Sequence, residues 1–224
     1  MNRTVLYTLI GDLVNDPNHD RYSTSQIDTQ LDIVQDRWNV DAGILVDSVT
    51  ITVVSGTREY AVTGLTGTPI DFRRVTHRGL ELVKRSKTWF DLYAGDDWSD
   101  DVGTPTSYYI DTDADGFHIV LYPVPQAADA GANLVVEYVK RHTSISSASD
   151  EPFNSLTYLS PYHYGVAYQV ASNLVSQDPD PMNAAKAARF LRLADIAFSD
   201  LVQHFKVLEK DEPWRMAGGR FWKY

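Results

Sequence analysis

The motif closest to a known chemical site is Asp111–Gly116. Its order, Asp-Thr-Asp-Ala-Asp-Gly, copies the first half of an EF-hand calcium loop, in which oxygen atoms bind the ion. That loop needs a bidentate glutamate at its twelfth position, and this sequence has Tyr122 there. Because strand-like residues flank the motif on both sides, the sequence favours a β-hairpin with Asp-Gly at its tip. A weak calcium site is the less favoured alternative, and we predict no metal.

A second acidic cluster, Asp96, Asp97, Asp100 and Asp101, contains enough carboxylates for the acid pair of a glycoside hydrolase. Nothing in the sequence places two of them on opposite sides of a sugar, so we interpret the cluster as a charged loop. The sequence has no cysteine, no two-histidine helical metal motif, no Gly-x-Ser-x-Gly elbow and no phosphate-binding glycine loop. We therefore predict that the protein is not an enzyme and has no cofactor.

The charge of the chain is acidic and unevenly distributed. Its formal net charge is -10 at pH 7, and residues 88–139 contain neither lysine nor arginine. Phosphate binding depends on clustered basic side chains, so this balance opposes specific binding of nucleic acid. No stretch approaches the roughly 18 apolar residues that a membrane helix needs, which predicts no membrane contact. The absence of cysteine fits folding in a reducing cytosol.

The elements that must position any site fall into three zones. The first zone, residues 1–45, has helical periodicity, with one apolar stripe before the Asp16–Asp20 loop and another after it. Ser23 and Ser25, each followed three residues later by Gln26 and Asp28, mark the start of the second helix. We predict two helices here.

The second zone, residues 46–142, changes to the alternating pattern of strands. Short apolar runs are separated by Gly, Pro, Asp and Ser, and a brief helical turn is predicted around Trp89–Tyr93. The absence of a long intervening helix favours an antiparallel β-sandwich or small barrel over a parallel sheet. We predict a single β-domain inserted into the chain.

The third zone follows a serine-rich linker, residues 143–149, and is helical again from 150 to 211. Ser160-Pro161 and Asp180-Pro181 each read as an N-cap followed by proline at the first helical position. Since the first of these helices stops near Asp178, the two predict an αα-hairpin. The predicted fold class is α+β: a discontinuous helical bundle, an inserted β-domain and an extended C-terminal tail.

The last helix has the most regular spacing in the sequence, alternating steps of three and four residues. This pattern is an a/d seam, and we expect it to pack within the bundle, with an intermolecular coiled coil as the less favoured alternative. The larger residues predicted to pack against the bundle or a neighbouring subunit are Leu191, Phe198, Leu201, Phe205 and Leu208.

The tail, residues 212–224, combines aromatic and basic side chains with no acidic residue after Glu212. Pro213 and Gly218-Gly219 oppose regular structure, whereas large aromatic side chains and arginine are the usual anchors of protein interfaces. We interpret the tail as a segment that docks on a partner. Folding back onto its own β-domain, or fraying, is the alternative.

The order of these elements resembles the head-to-tail adaptor (connector) proteins of tailed bacteriophages. The β-zone segments that carry the resemblance are Gly103–Ile110, Phe117–Leu121, Tyr122–Pro125 and Leu134–Tyr138. The N-terminal helix at Thr24–Asn39, the segments Pro152–Leu159 and Tyr162–Ala167, and the alanine-rich final helix resemble the helical part of that family. Together the segments cover most of the chain.

The resemblance implies a structural virion protein at the neck, the portal vertex, assembled in the host cytoplasm. Such adaptors form a ring, usually of twelve copies, that joins the portal to tail, nozzle or tail-completion proteins and continues the DNA channel without binding DNA specifically. Their C-terminal segment lies along the portal. The resemblance thus implies a portal-binding role for Trp214, Arg215, Met216, Arg220, Phe221, Trp222 and Tyr224.

Two other functions are compatible with parts of the sequence. A carbohydrate- or receptor-binding β-module would use aromatic residues of the β-zone to stack on sugar rings, although the same residues suit a sandwich core. The long flanking helices and the tail are unexpected in such a module. A hydrolase would use the aspartate cluster and would lose turnover on single Asp to Asn changes. The residues that a sugar-binding module would use are Tyr60, Trp89, Tyr93, Trp98, Tyr108 and Tyr109.

Overall fold

The computed structural model describes residues 1–93, 98–178 and 180–210, which divide into two compact units. The helical unit contains Met1–Leu45 and the described residues from Arg141 onward, and the β unit is Val46–Lys140. The helices in chain order are α1 Arg3–Val14, α2 Thr24–Ala42, α3 Lys87–Tyr93, α4 Pro152–Ser155, α5 His163–Ser176 and α6 Pro181–Lys210. Of these, α3 belongs to the β unit.

Local signals explain where the first two helices begin and end. The side chain of Asn2 accepts a hydrogen bond from the Val5 N–H, 3.0 Å away, and so caps α1. Ser23 forms a capping box with Gln26 at the start of α2, as its sequence predicts. The helix ends at Gly43, whose φ of 65° lies in the left-handed region that glycine adopts without strain.

The core of the helical unit surrounds α5. Ten of its fourteen residues are buried, and the helix contacts α1, α2 and α6. Gly165 allows this close packing, since a Cβ atom there would lie 2.5 Å from both the Ala197 Cβ and the Trp38 Cη2. The fully buried apolar side chains include Leu6 and Ile10 of α1, Ile27 and Leu31 of α2, Val166, Val170 and Leu174 of α5, and Leu201 of α6.

The predicted start of α5 at Ser160-Pro161 is wrong. Residues Thr157–Tyr162 form a 3₁₀ helix that contains Pro161, and α5 begins at His163 without a side-chain cap. The proline still lies near the start of a helical segment, but the tighter turn continues past it before the α-helix begins. At α6 the signal is confirmed, because the Asp180 carboxylate accepts a hydrogen bond from the Met182 N–H at 2.9 Å.

The segment predicted as a linker, residues 143–149, contacts the helical unit. Ile145 is 5% exposed and belongs to the helical core. The Asp150 carboxylate accepts hydrogen bonds from the Ser147 side chain and from the backbone N–H groups of Ser147 and Ser146, which lowers the pKa of Asp150 to about 2. Next to this segment, both ring nitrogens of the buried His142 face α2 carboxylates, 2.9 Å from Asp36 and 3.0 Å from Asp32.

The β unit consists of two four-stranded sheets and a short two-stranded one. The strand orders are β1-β10-β3-β4, β2-β8-β7-β5 and β6-β9. The strands are β1 Val46–Thr52, β2 Glu59–Ala61, β3 Pro69–His77, β4 Leu80–Glu81, β5 Val83–Lys84, β6 Val102–Gly103, β7 Ser107–Asp113, β8 Gly116–Tyr122, β9 Val124–Pro125 and β10 Asn133–Lys140.

The two larger sheets share one apolar core, which makes the β unit a sandwich. Phe72 and Val136 from one sheet belong to the same buried cluster as Tyr108 and Leu121 from the other. The longer strand pairs are antiparallel, as predicted, whereas the short pairs β5–β7 and β6–β9 are parallel. The α+β fold class is confirmed.

Candidate assembly surface

The predicted docking tail lies outside the described residues. Helix α6 is described to Lys210, with its side chains described as far as Phe205, so the structure places the backbone of Leu208 in the helix. The predicted portal-binding residues that lie outside are Trp214, Arg215, Met216, Arg220, Phe221, Trp222 and Tyr224.

The described part of the α6 seam packs against the helical core at every predicted position except one. Leu201 is fully buried, and Phe198 and Phe205 are partly buried against the same core. Leu191 is 41% exposed and lies outside that core, so it does not pack within the bundle, and its alternative contact with a neighbouring subunit stays a prediction. Phe190, which is 7% exposed, takes the buried position instead; adjacent residues point about 100° apart round a helix, and here the side of Phe190 faces the core.

Phe190 was missed because the stripe through Leu191 also alternates steps of three and four. Its ring stacks on Tyr168 of α5, with 6.2 Å between ring centroids and an interplanar angle of 22°. The Lys186 ammonium lies 5.8 Å from the centroid of the same Phe190 ring. The signal in the sequence for this contact was Phe190 itself, a large aromatic residue directly beside the stripe through Leu191.

The acidic motif of the β unit forms a hairpin, as predicted. Asp113 ends β7, and its carboxylate accepts hydrogen bonds from the backbone N–H groups of Asp115 at 2.8 Å and Gly116 at 3.1 Å. These bonds hold the pKa of Asp113 below its usual value. Tyr122, at the position of the missing glutamate, lies in β8, and its hydroxyl donates to Asp101 at 2.9 Å. The calcium loop is therefore not formed.

One group of possible ligand atoms occurs among the described residues. The His118 Nδ1 lies 3.2 Å from a Glu59 oxygen, and its Nε2 lies 3.2 Å from an Asp113 oxygen. These contacts place the imidazole between two carboxylates, and they are ion pairs when the ring is protonated. Two residues of the second acidic cluster, Asp96 and Asp97, lie outside the described residues. In the same cluster, the Asp100 carboxylate accepts a hydrogen bond from the Ser99 hydroxyl.

The aromatic residues of the β-zone serve mainly as core. Tyr60, Tyr108 and Tyr109 are at most 6% exposed. Trp89 and Trp98 are partly buried and pack around the fully buried Phe90 in a smaller cluster. A platform for sugar rings needs exposed faces, so these positions do not favour a carbohydrate site. The side chain of Tyr93 lies outside the described residues.

The comparison with protein families decides the identity of the chain. The model of the SU10 adaptor protein family matches residues 1–217. The chain belongs to this family. The match confirms the resemblance to phage head-to-tail adaptors and makes the protein a structural adaptor of a bacteriophage, for which portal and tail proteins are the implied partners. No curated protein matches the chain.

The helical unit of this SU10-type adaptor exposes several large apolar side chains. Surface apolar residues are normal when scattered singly, but they also supply contacts when copies of a protein assemble. In an adaptor they are the first candidates for contacts between subunits. They are Val5, Ile33, Tyr158, Tyr164, Met182, Leu191 and Ile196, each between 41% and 81% exposed.

The helices of the adaptor differ in length and in apolar character. Among those in the described part of the chain, none is both long and apolar enough to cross a membrane. The longest, α6, has charged residues on its outer side, including Arg192 and Asp195. A phage adaptor acts at the virion neck, between head and tail.

Proposed function

We propose that this adaptor forms a closed ring beneath the portal, usually of twelve copies, and links the portal to tail, nozzle or tail-completion proteins. The observation that carries the proposal is the family match over residues 1–217. A ring requires a heterologous contact, in which two different surfaces of one subunit meet those of its two neighbours. The exposed apolar side chains of the helical unit, among them Leu191 and Ile196, support such contacts.

The tail, residues 212–224, binds the portal in this proposal. Its five large apolar side chains and three basic ones bury area and pair with carboxylates when the segment orders on a surface. The anchors are Trp214, Arg215, Met216, Arg220, Phe221, Trp222 and Tyr224. Assembly takes place in the host cytoplasm.

The ring continues the channel through which DNA leaves the head. The net charge of -10 on each chain discourages adhesion of the passing phosphate backbone, since adhesion depends on clustered lysine and arginine. DNA therefore passes without specific binding, and the protein catalyses no reaction. Its mechanism is assembly by burial of surface.

The test is co-sedimentation with the cognate portal, followed by electron microscopy. We expect the full chain to stack as a coaxial ring on the portal. A chain lacking Pro213–Tyr224 should lose portal binding while keeping its circular dichroism spectrum, because the deletion removes only the docking segment. A matched control replaces Trp214, Phe221 and Trp222 by serine and keeps the basic residues. A truncated chain that still sediments with portal would refute the role of the tail.

A further inference from the structure

The β unit has a groove on the side where the chain crosses from one sheet to the other. Strand β4 pairs with β3 in the first sheet, and β5, two residues later, pairs with β7 in the second. These pairs are only two residues long, so within residues 1–93, 98–178 and 180–210 no strand lies beside the remainder of the β3 and β7 edges. The groove encloses about 410 Å³ and is lined by residues 69–72, residues 84–87, Tyr109, Ile110 and Phe117.

The β7 edge offers unpaired backbone groups to this groove. The Tyr108 carbonyl accepts a hydrogen bond from the Arg85 N–H at 2.8 Å, which shows that Tyr108 faces the outer edge of the sheet. Backbone groups two residues apart on a strand point to the same edge, so Ile110 also directs its N–H and C=O outward. Within the described part of the chain, no group bonds to either of them.

The other edge of the groove is partly closed by a lysine. The Lys84 ammonium donates a hydrogen bond to the Phe72 carbonyl of β3, 3.1 Å away. This bond occupies one acceptor of the β3 edge and holds a positive charge above the groove. An incoming strand would therefore pair with β7 and lie beside this charge.

The groove is basic although the chain is acidic. Its lining contains Lys84, Arg85 and Lys87 against a single acidic residue, Asp71. All three basic residues are exposed. Lys87 lies 3.5 Å from Asp111, and the Arg85 guanidinium lies 4.6 Å from the centre of the Trp89 ring. On a chain of net charge -10, this concentration of cations selects an acidic partner.

We propose that the groove binds an extended acidic segment of another protein chain, which adds to the β7 edge as a further strand. The open edge at Ile110 supplies main-chain hydrogen bonds, and the three cations select the charge of the alternate side chains that face them. This site is separate from the C-terminal tail and gives the adaptor a second contact point, carried by its β unit.

The first experiment measures binding of a fluorescein-labelled peptide of alternating glutamate and threonine to the full chain by fluorescence anisotropy. We expect saturable binding, and at least ten-fold weaker binding of the matched lysine–threonine peptide. The double variant Lys84→Gln/Lys87→Gln should weaken binding of the acidic peptide at least ten-fold, whereas Arg192→Gln on α6 removes a cation elsewhere and should leave it unchanged. Equal binding of the two peptides would overturn the proposal.

A second variant and a competitor keep this result interpretable. Lys84→Gln also removes the hydrogen bond to Phe72 and could lower the melting temperature. In that case Arg85→Gln/Lys87→Gln removes the same number of positive charges and keeps that bond. Polyphosphate serves as the competitor. Displacement of the peptide by polyphosphate at equal charge concentration would make the groove a general anion site, and the proposal would fail.

The strand geometry is tested separately by hydrogen exchange. In chain labelled with ¹⁵N-isoleucine, the Ile110 amide signal is assigned by its loss in Ile110→Val. We expect saturating acidic peptide to slow exchange of this amide at least ten-fold, because a paired strand would accept its hydrogen. Peptide binding without such protection would show a purely electrostatic surface contact and would overturn the strand addition.

Discussion

Helices α5 and α6 form one hairpin but bury their residues in different ways. Helix α5 buries ten of its fourteen residues and contains no Asp, Glu, Lys or Arg. Its single titratable imidazole, His163, is fully buried. Helix α6 buries a single stripe, which includes Ala187, Ala194 and Leu201, and exposes Leu191 and Ile196. The comparison teaches that α5 holds the unit together, while α6 covers α5 on one side and leaves apolar side chains exposed on the other.

The largest effect is expected at the buried stripe of α6. Leu201→Ala removes a side chain with no exposed area and leaves a cavity, so the free energy of unfolding of the helical unit should fall by about 3 kcal/mol. Urea unfolding followed by tryptophan fluorescence measures this change. Leu191→Ala, at a position 41% exposed, is the control and should cost clearly less. Equal losses at the two positions would contradict the one-sided packing of α6.

The second prediction concerns the closeness of α5 to its neighbours. In Gly165→Ala the new Cβ would lie 2.5 Å from atoms of Ala197 and Trp38, so the helices must separate. Overpacking of this kind lowers the free energy of unfolding by about 2 kcal/mol. Thermal unfolding checks the effect. The control is Gly103→Ala in the β unit, where the nearest atoms lie 3.5 Å away; a similar loss there would argue against a special contact at Gly165.

The third prediction uses the buried histidine at the start of α5. Burial lowers the pKa of His163 to about 4 from its usual 6.5, so the folded state resists a proton that the unfolded chain accepts. Well above pH 6.5 the ring is neutral in both states; as the pH falls towards 4 the unfolded chain binds the proton first, so the free energy of unfolding decreases by on the order of 3 kcal/mol. The pH dependence of the unfolding free energy should flatten in this window in His163→Asn. Identical slopes in the two proteins would exclude this role.

The smallest effect on stability, and the largest on assembly, is expected on the outer side of α6. Ile196 is 52% exposed, so Ile196→Glu should change the free energy of unfolding by no more than about 0.5 kcal/mol. If this surface joins subunits in the ring, the added charge should prevent ring formation on the portal. Analytical ultracentrifugation of the variant mixed with portal separates the free subunit from the ring bound to portal. A variant that assembles normally would remove Ile196 from the proposed contact.

Sequence reasoning succeeded where the signal is local. Ser23 and Asp180 cap their helices through atoms two or three residues away, so the cap can be read from neighbouring letters. The stripe through Leu191 did not reveal Phe190, because both residues fit a three-four spacing and the stacking of Phe190 on Tyr168 of α5 depends on tertiary packing. The predicted start of α5 was wrong because a 3₁₀ turn continues through Pro161 before the α-helix begins.

The β-unit groove shows what a single sequence cannot supply. Its walls come from residues 69–72, 84–87 and 109–117, which are separated along the chain and meet only through strand pairing. The run Lys84, Arg85 and Lys87 is visible in the sequence as a small basic cluster before the acidic stretch. Its meaning depends on the parallel pairing of β5 with β7, for which the sequence contains no recognisable pattern.

The β unit enters and leaves the helical unit through neighbouring strands. Val46 of β1 and Val139 of β10 are register partners, which places the two ends of the inserted segment about 5 Å apart. A gap of this size can be closed by a short turn, so the chain of the helical unit needs no long connection where the β unit is inserted.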